Sequence, residues 1–121
     1  MKREQELLIK TYAAFNNRDM DSALAVMHAE VDWPNGMEGG RMQGRSAVRS
    51  YWERQWTIID PRVDPLSITT DPLGRTVLEV HQVVRDLSGQ VLADRTIQHV
   101  YGFRDGLIAR MDIVEAATNA K

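Results

Sequence analysis

Apolar residues recur at helical spacing through the first half of the chain and at alternating positions through the second. Over residues 4–16, Leu8, Tyr12 and Phe15 fall on one stripe, which predicts an amphipathic helix. Asn16-Asn17-Arg18 interrupts it. Asp19 reads as an N-cap, and Met20, Ala23, Leu24 and Met27 continue a second helix to about His28. Val31-Asp32-Trp33 is a short extended stretch stopped by Pro34, and Asn35 to Gly44, with Gly36, Gly39 and Gly40 inside it, is a loop. Val48, Tyr51, Trp52, Gln55, Trp56 and Ile59 then follow the i, i+3, i+4, i+7 pattern of a third helix, from about Ser46 to Asp60-Pro61.

Beyond Pro61 the period becomes two, predicting strands at about 62–70, 75–86, 90–103 and 107–115. Asp71-Pro72-Leu73-Gly74, Ser88-Gly89 and Asp105-Gly106 are the turns between them. Three helices followed by an antiparallel meander make an α+β domain spanning residues 1–121, with the helices on one sheet face. Two-residue turns fix the register. His81 then pairs with Thr96, Glu79 with Gln98 and Arg85 with Leu92, while Gln98 sits beside Ile113 and Val100 beside Met111. One face carries Glu79, His81, Val83, Arg85, Asp94, Thr96, Gln98, Met111, Ile113 and Glu115. The other carries Leu78, Val80, Gln82, Val84, Ile97, His99, Tyr101, Ile108, Arg110, Asp112 and Val114. A one-residue slip would exchange the sets.

Composition narrows the function classes. The chain has 121 residues, 43% of them hydrophobic, enough for one packed core. Fifteen basic and 17 acidic side chains leave a net charge of -2, with no electrostatic footprint for nucleic acid or an anionic membrane. Absence of cysteine excludes disulfides, a thiolate nucleophile and Cys-ligated metal. His28, His81 and His99 lack metal-ligand spacing. MKREQELLIK at the N-terminus is too polar for a signal peptide and no run is long enough to span a bilayer, so a cytoplasmic protein is expected. The loop Asn35-Gly-Met-Glu-Gly-Gly40 lacks the spacing and ending of a phosphate loop, and reads as a flap or a turn.

Four segments in this order carry a resemblance: Tyr12-Ala-Ala-Phe-Asn-Asn-Arg-Asp-Met-Asp21, Val31-Asp-Trp33, Gly44-Arg-Ser-Ala-Val-Arg49 and His99-Val-Tyr-Gly-Phe-Arg-Asp-Gly-Leu-Ile108. The chain resembles the NTF2-like superfamily, in its SnoaL-like and ketosteroid-isomerase-like branch. The resemblance implies a cystatin-like cone, in which a curved antiparallel sheet wraps the first helix around a pocket open at one end. It implies a homodimer paired through the outer sheet face. It implies no single reaction, since the fold hosts isomerases, dehydratases, cyclases, epoxide hydrolases and non-catalytic binders.

The isomerase apparatus can be followed residue by residue. Its carboxylate base corresponds to Asn35, an amide without useful basicity, which leaves Asn35 as a substrate contact. Its tyrosine donor falls by spacing at Thr11, one residue before Tyr12, and its carboxylic acid donor at Gln98. Steroid isomerisation by that mechanism is therefore not expected. The same alignment points His81 into the pocket with Glu79, Asp94 and Gln98. It makes His81 the candidate proton-transfer group and Gln98 a candidate donor, with Glu79 and Asp94 beside them. Trp33, Tyr51, Trp52 and Trp56 either pack the third helix or wall the pocket, with Trp33, Tyr51 and Trp56 the expected substrate contacts alongside Tyr12. His99 and Asp112, with Arg110 and Tyr101 nearby, also form a constellation suited to catalysis, but are assigned to the outer face as a subunit contact or solvated ion pair; the catalytic reading gains if the facing is inverted. Arg85 and Asp94 resemble only a fragment of the Asp–Arg–Asp relay that activates water for epoxide opening in a related branch of the superfamily.

The sequence thus predicts a cone with an apolar pocket for a small organic molecule. Two readings follow: a lyase, isomerase or cyclase acting by acid–base chemistry without a cofactor, or a non-catalytic ligand-binding or assembly module. The apolar set Leu78, Val80, Val84, Ile97, Ile108 and Val114, expected to lie uncovered, supplies the physical reason for a homodimer.

Overall fold

In the computed structural model, which describes residues 3–115, the apolar stripe of α1 (Arg3–Asn16) buries Leu8 and Tyr12 against the sheet. Asp19 caps α2 (Met20–Ala25) as expected, its Oδ1 accepting the Ser22 N–H at 3.2 Å. The helix ends earlier than its periodicity suggested, because Met27 already opens β1 (Met27–Pro34). Met27 is fully buried at the start of β1, and an apolar residue there suits the buried stripe of a helix equally well, so periodicity could not separate them. What decides is the Ile108 N–H donating to Val26 O at 2.9 Å, which ties the chain to the sheet. A short strand, β2 (Arg41–Gln43), lies inside the expected loop. Helix α3 (Arg45–Gln55) stops before Ile59, which starts β3 (Ile59–Thr70) opposite Asp86 of β4 (Thr76–Asp86). The chain ends in β5 (Val91–Arg104) and β6 (Leu107–Glu115).

The six strands form one sheet in the order β2-β1-β6-β5-β4-β3. It is mixed rather than purely antiparallel, since β1 runs parallel to β6. Strand β3 contains Pro61 and Pro65, tolerated because it is an edge strand. Its free edge is covered by Asn16, whose side chain donates to Val63 O at 2.8 Å and accepts from Val63 N at 2.9 Å. That pair fastens the end of α1 to the sheet and blunts an exposed edge.

The β4–β5 register follows the expectation at its centre: Glu79 opposes Gln98, His81 opposes Thr96 and Val83 opposes Asp94. A bulge between Val84 and Arg85 places Arg85 opposite Val91 instead of Leu92. At the other hairpin Asp105 (φ 57°) and Gly106 (φ 77°) form the expected two-residue turn with Arg104 opposite Leu107. A second bulge, at Gly102/Phe103, then slips the pairing so that Tyr101 opposes Met111 and His99 opposes Ile113. Met111 and Ile113 therefore join His99, and Asp112 lies opposite Val100.

The two faces are inverted relative to the expectation. Leu78, Val80, Ile97 and Ile108 are fully buried in the core with α1 and α3 residues, and Val84 is nearly so. Glu79, His81, Asp94 and Gln98 occupy the face away from the helices. The apolar set that motivated a homodimer is thus covered within one chain, Val114 excepted at 44% exposure, and that reason for pairing is removed. No helix among the described residues is long and apolar enough to cross a membrane.

Candidate functional site

The helices and the concave sheet face enclose a cavity of about 120 Å³, room for several waters at ~10–15 Å³ each. Alternation along β5 delivers Arg95, His99 and Tyr101 to it, with Ile97 packed in the core between them. Tyr12 enters from α1, Tyr51, Trp52 and Trp56 from α3 and its C-cap, and Trp33 from β1. The ring of Trp52 lies at the centre of the wall. It stacks on Trp56 (5.7 Å, 17°) and meets Phe15 (5.3 Å, 72°) and Trp33 (6.0 Å, 85°) edge-on. Such offset and edge-to-face pairs hold the rings in fixed orientations. The most exposed members of the lining, Gly36, Met37 and Arg95, mark the mouth.

A chain of three polar side chains crosses this apolar surface. Tyr12 Oη lies 2.6 Å from His99 Nδ1 and 2.7 Å from Tyr101 Oη. All three residues are buried and border the cavity. Burial dominates their protonation. It lowers His99 to about 4, assisted by the positive charge of Arg95. Burial likewise raises the Tyr12 hydroxyl well above the usual phenol range, with Tyr101 adding to the effect. It also raises the Tyr101 hydroxyl, against the opposing hydrogen bond to Tyr12. The chain therefore rests neutral at physiological pH. Among the described residues, neither His99 Nε2 nor the Tyr101 hydroxyl has a further partner.

The loop at the mouth is tied down by side chains. Asn35 accepts from Glu38 N at 2.8 Å and donates to its carboxylate at 3.1 Å. Arg54 and Gln55 of α3 donate to the same carboxylate, and Tyr51 Oη accepts from Met37 N at 3.1 Å. The hydrogen bond from Arg54, with Asn35 contributing, holds Glu38 down to about 2. Asn35 itself does not line the cavity, although its neighbours Pro34 and Gly36 do; its amide organises the turn.

The expected site residues thus divide. Tyr12, Trp33, Tyr51 and Trp56 border the cavity together. His81, Gln98, Glu79 and Asp94 do not: they share the convex face, where His81 Nε2 lies 2.6 Å from Asp94 Oδ1. The physical reason is a one-residue displacement. The spacing carried over from the resemblance landed on Thr11 and Gln98, whereas the side chains that meet are the next residues, Tyr12 and His99. Asp112 is likewise not beside His99. It sits in an alternating ion-pair ring with Arg41, Asp32 and Arg110 at 2.6–3.0 Å. Arg95 is not singled out by the sequence and Gln82 is placed by it on the outer face, yet Arg95 Nε donates to Gln82 Oε1 at 2.9 Å on the cavity rim. The signal for them was the alternation that carries His99: Arg95 shares its parity, and Gln82 opposes Arg95. No group of three or more His, Cys, Asp or Glu side chains suited to a metal ion occurs among the described residues.

Comparison with known proteins agrees with this architecture. TerC, in a structure co-crystallised with polyporic acid, is 26% identical and superposes with a TM-score of 0.81 over 94% of this chain and 92% of its own. An NTF2-like protein of unknown function from Burkholderia pseudomallei is 24% identical, with a TM-score of 0.82 over 95% and 92% of the two chains. A proposed polyketide cyclase from Xanthomonas campestris pv. campestris is 25% identical, with a TM-score of 0.73 over 92% and 88%. A search of curated proteins finds no match. Residues 8–111 match the model of the SnoaL-like domain, and with that span inside a six-stranded NTF2-like fold, the chain belongs to the SnoaL-like family.

Proposed function

We propose that the protein binds a small, flat, largely apolar carbonyl compound and catalyses a proton-transfer step on it, of the kind required by an isomerase or cyclase. The observation that carries this reading is the His99–Tyr12–Tyr101 chain on an aromatic cavity. Charged forms of all three groups are disfavoured there, so a step that passes through an imidazolium or a phenolate is costly. A step that moves two protons in opposite senses avoids both. With Nδ1 protonated and Nε2 free, Nε2 takes a proton from the carbon beside the carbonyl. Nδ1–H passes its proton to Tyr12 Oη, Tyr12 passes its own to Tyr101, and Tyr101 delivers one to the carbonyl oxygen. The C–H bond breaks, an O–H bond forms, the electron pair moves into the enol, and the protein stays neutral. The other direction of the chain returns it to its starting tautomer.

The co-crystal of TerC with polyporic acid and the proposed cyclase relative support a small-molecule site. The test is α-proton exchange of 2-tetralone in deuterium oxide, followed by proton NMR. Saturable exchange above the buffer rate is expected, with little change from about pH 5 to 8 because His99 titrates at about 4. Binding of 2-tetralone without any acceleration would overturn catalysis and leave the non-catalytic binding module of the same fold.

A further inference from the structure

Among the described residues, the concave lining contains one charged side chain, Arg95, and no carboxylate. We infer that the ligand carries a single anionic group, a carboxylate or an acidic enol, on a flat conjugated body, and that Arg95 receives that group at the mouth. This rests on the reading of the cavity as a small-molecule site. Arg95 lies four positions before His99 along β5, roughly 13 Å of strand at ~3.3 Å per residue. The Arg95 side chain shortens that span, and a flat conjugated body entering at the mouth would lie between its guanidinium and the His99 ring. The same cavity is walled by Trp33, Trp52 and Trp56, which offer ring faces and no counter-charge.

Arg95 is held for this task by a neutral partner. Its Nε donates to Gln82 Oε1 at 2.9 Å, which fixes the plane of the guanidinium without neutralising it. Among the described residues its carboxylate partner is Glu115, exposed and 3.4 Å from Nη1, too long for a strong charge-assisted bond. A ligand carboxylate can displace it and take the planar fork that arginine presents. The same charge sits within range of His99 and opposes its protonation. An anion bound at Arg95 therefore also weakens the repulsion felt by a proton arriving at His99.

Isothermal titration calorimetry with 2-naphthoate and 2-naphthamide tests the inference, because the two share a flat bicyclic body and differ in charge. The wild-type protein is expected to bind naphthoate about 3- to 30-fold more tightly than the amide, the range for a partly exposed charge-assisted contact. Arg95→Gln should abolish the preference by lowering naphthoate affinity far more than naphthamide affinity, and Glu115→Gln should raise naphthoate affinity about 2- to 5-fold by removing a competitor. Equal binding of the two probes by wild-type protein, or a preference that survives in Arg95→Gln, would overturn the assignment while the cavity reading stands. Binding of neither probe by folded wild-type protein would overturn the cavity reading and the assignment with it.

Discussion

The two faces of the β4–β5 ribbon carry the same kinds of side chain and put them to different uses. On the concave face His99 is buried against Tyr12, its ring neutral and its pKa lowered to about 4 by loss of water. On the convex face His81 keeps 41% of its side chain exposed and bonds to Asp94, which is 59% exposed. Each histidine has one close hydrogen-bond partner. What separates them is the surroundings: apolar rings on one side, water and ions on the other. A neutral imidazole beside phenols in a largely apolar cavity is poised to exchange protons with a bound molecule. An imidazole beside a carboxylate in water makes a solvent-screened surface pair.

The comparison is broken most directly by exchanging the roles of the two histidines. His99→Gln should lower the 2-tetralone exchange rate by about 10²–10⁴-fold, the contribution expected of one acid–base group. His81→Gln should leave it within about twofold, since His81 lies on the opposite face. Proton NMR of the exchange with each purified variant checks both, with circular dichroism to show that His99→Gln is folded. Equal losses in the two variants would mean that the concave chain is not where protons move.

Packing should differ between the faces by a comparable margin. Ile97 is fully buried on the concave side, whereas its neighbour Gln98 points to the convex side. Ile97→Ala should cost about 2–5 kcal/mol through lost burial and a residual cavity. Gln98→Ala should stay within about 0.5 kcal/mol. Urea denaturation of the two variants reads the difference, and similar costs would show that the convex face is also packed against something.

Much of this contrast could be read from the sequence, and the part that could not has a specific cause. Period-two alternation, the Asp105-Gly106 turn and the central β4–β5 register were legible because each depends on local spacing. The β5–β6 register was not, because the bulge at Gly102/Phe103 leaves no mark in the alternation. The facing had a usable signal. Leu78, Val80, Ile97 and Ile108 form the more apolar set, and helices cover the more apolar face of a sheet. The spacing borrowed from the family pointed the other way by one residue, at Thr11 and Gln98 instead of Tyr12 and His99. Burial was the stronger argument, and following it would have placed His99 and Tyr101 in the cavity. The aromatic wall was legible because Trp52 and Trp56 share a helix face whichever way the sheet turns.

Acid should sharpen the contrast next. His99 has a folded pKa of about 4 against an ordinary 6.5. Above pH 6.5 neither folded nor unfolded chains carry its proton, and it leaves stability unchanged. As pH falls from 6.5 to about 4 the unfolded chain takes up a proton that the folded chain refuses, so stability declines, by up to about 3 kcal/mol, and then levels off. Chemical denaturation across that window should show a steeper loss for wild-type protein than for His99→Gln. The His99 ring proton, followed by NMR, should titrate near 4. A midpoint near 6.5 would mean that water reaches the ring freely.

The smallest effect is expected where the hydrogen bond is as short as the one to His99 but the surroundings are wet. His81 Nε2 and Asp94 Oδ1 approach to 2.6 Å, and they do so diagonally, since Asp94 opposes Val83 and His81 opposes Thr96. Both side chains are more than one-third exposed, so water and salt compete for the contact throughout. A double-mutant cycle of His81→Ala and Asp94→Ala should therefore give a coupling of about 0–1 kcal/mol, shrinking further as salt is raised. Distance alone would rank this pair with the buried one; solvent exposure ranks it far below. A coupling well above 1 kcal/mol that persists in high salt would require the pair to be dry. If such a coupling fell on dilution of the protein, the drying agent would be a second copy seated on the convex face, and the division between a working face and a solvated face would have to be redrawn.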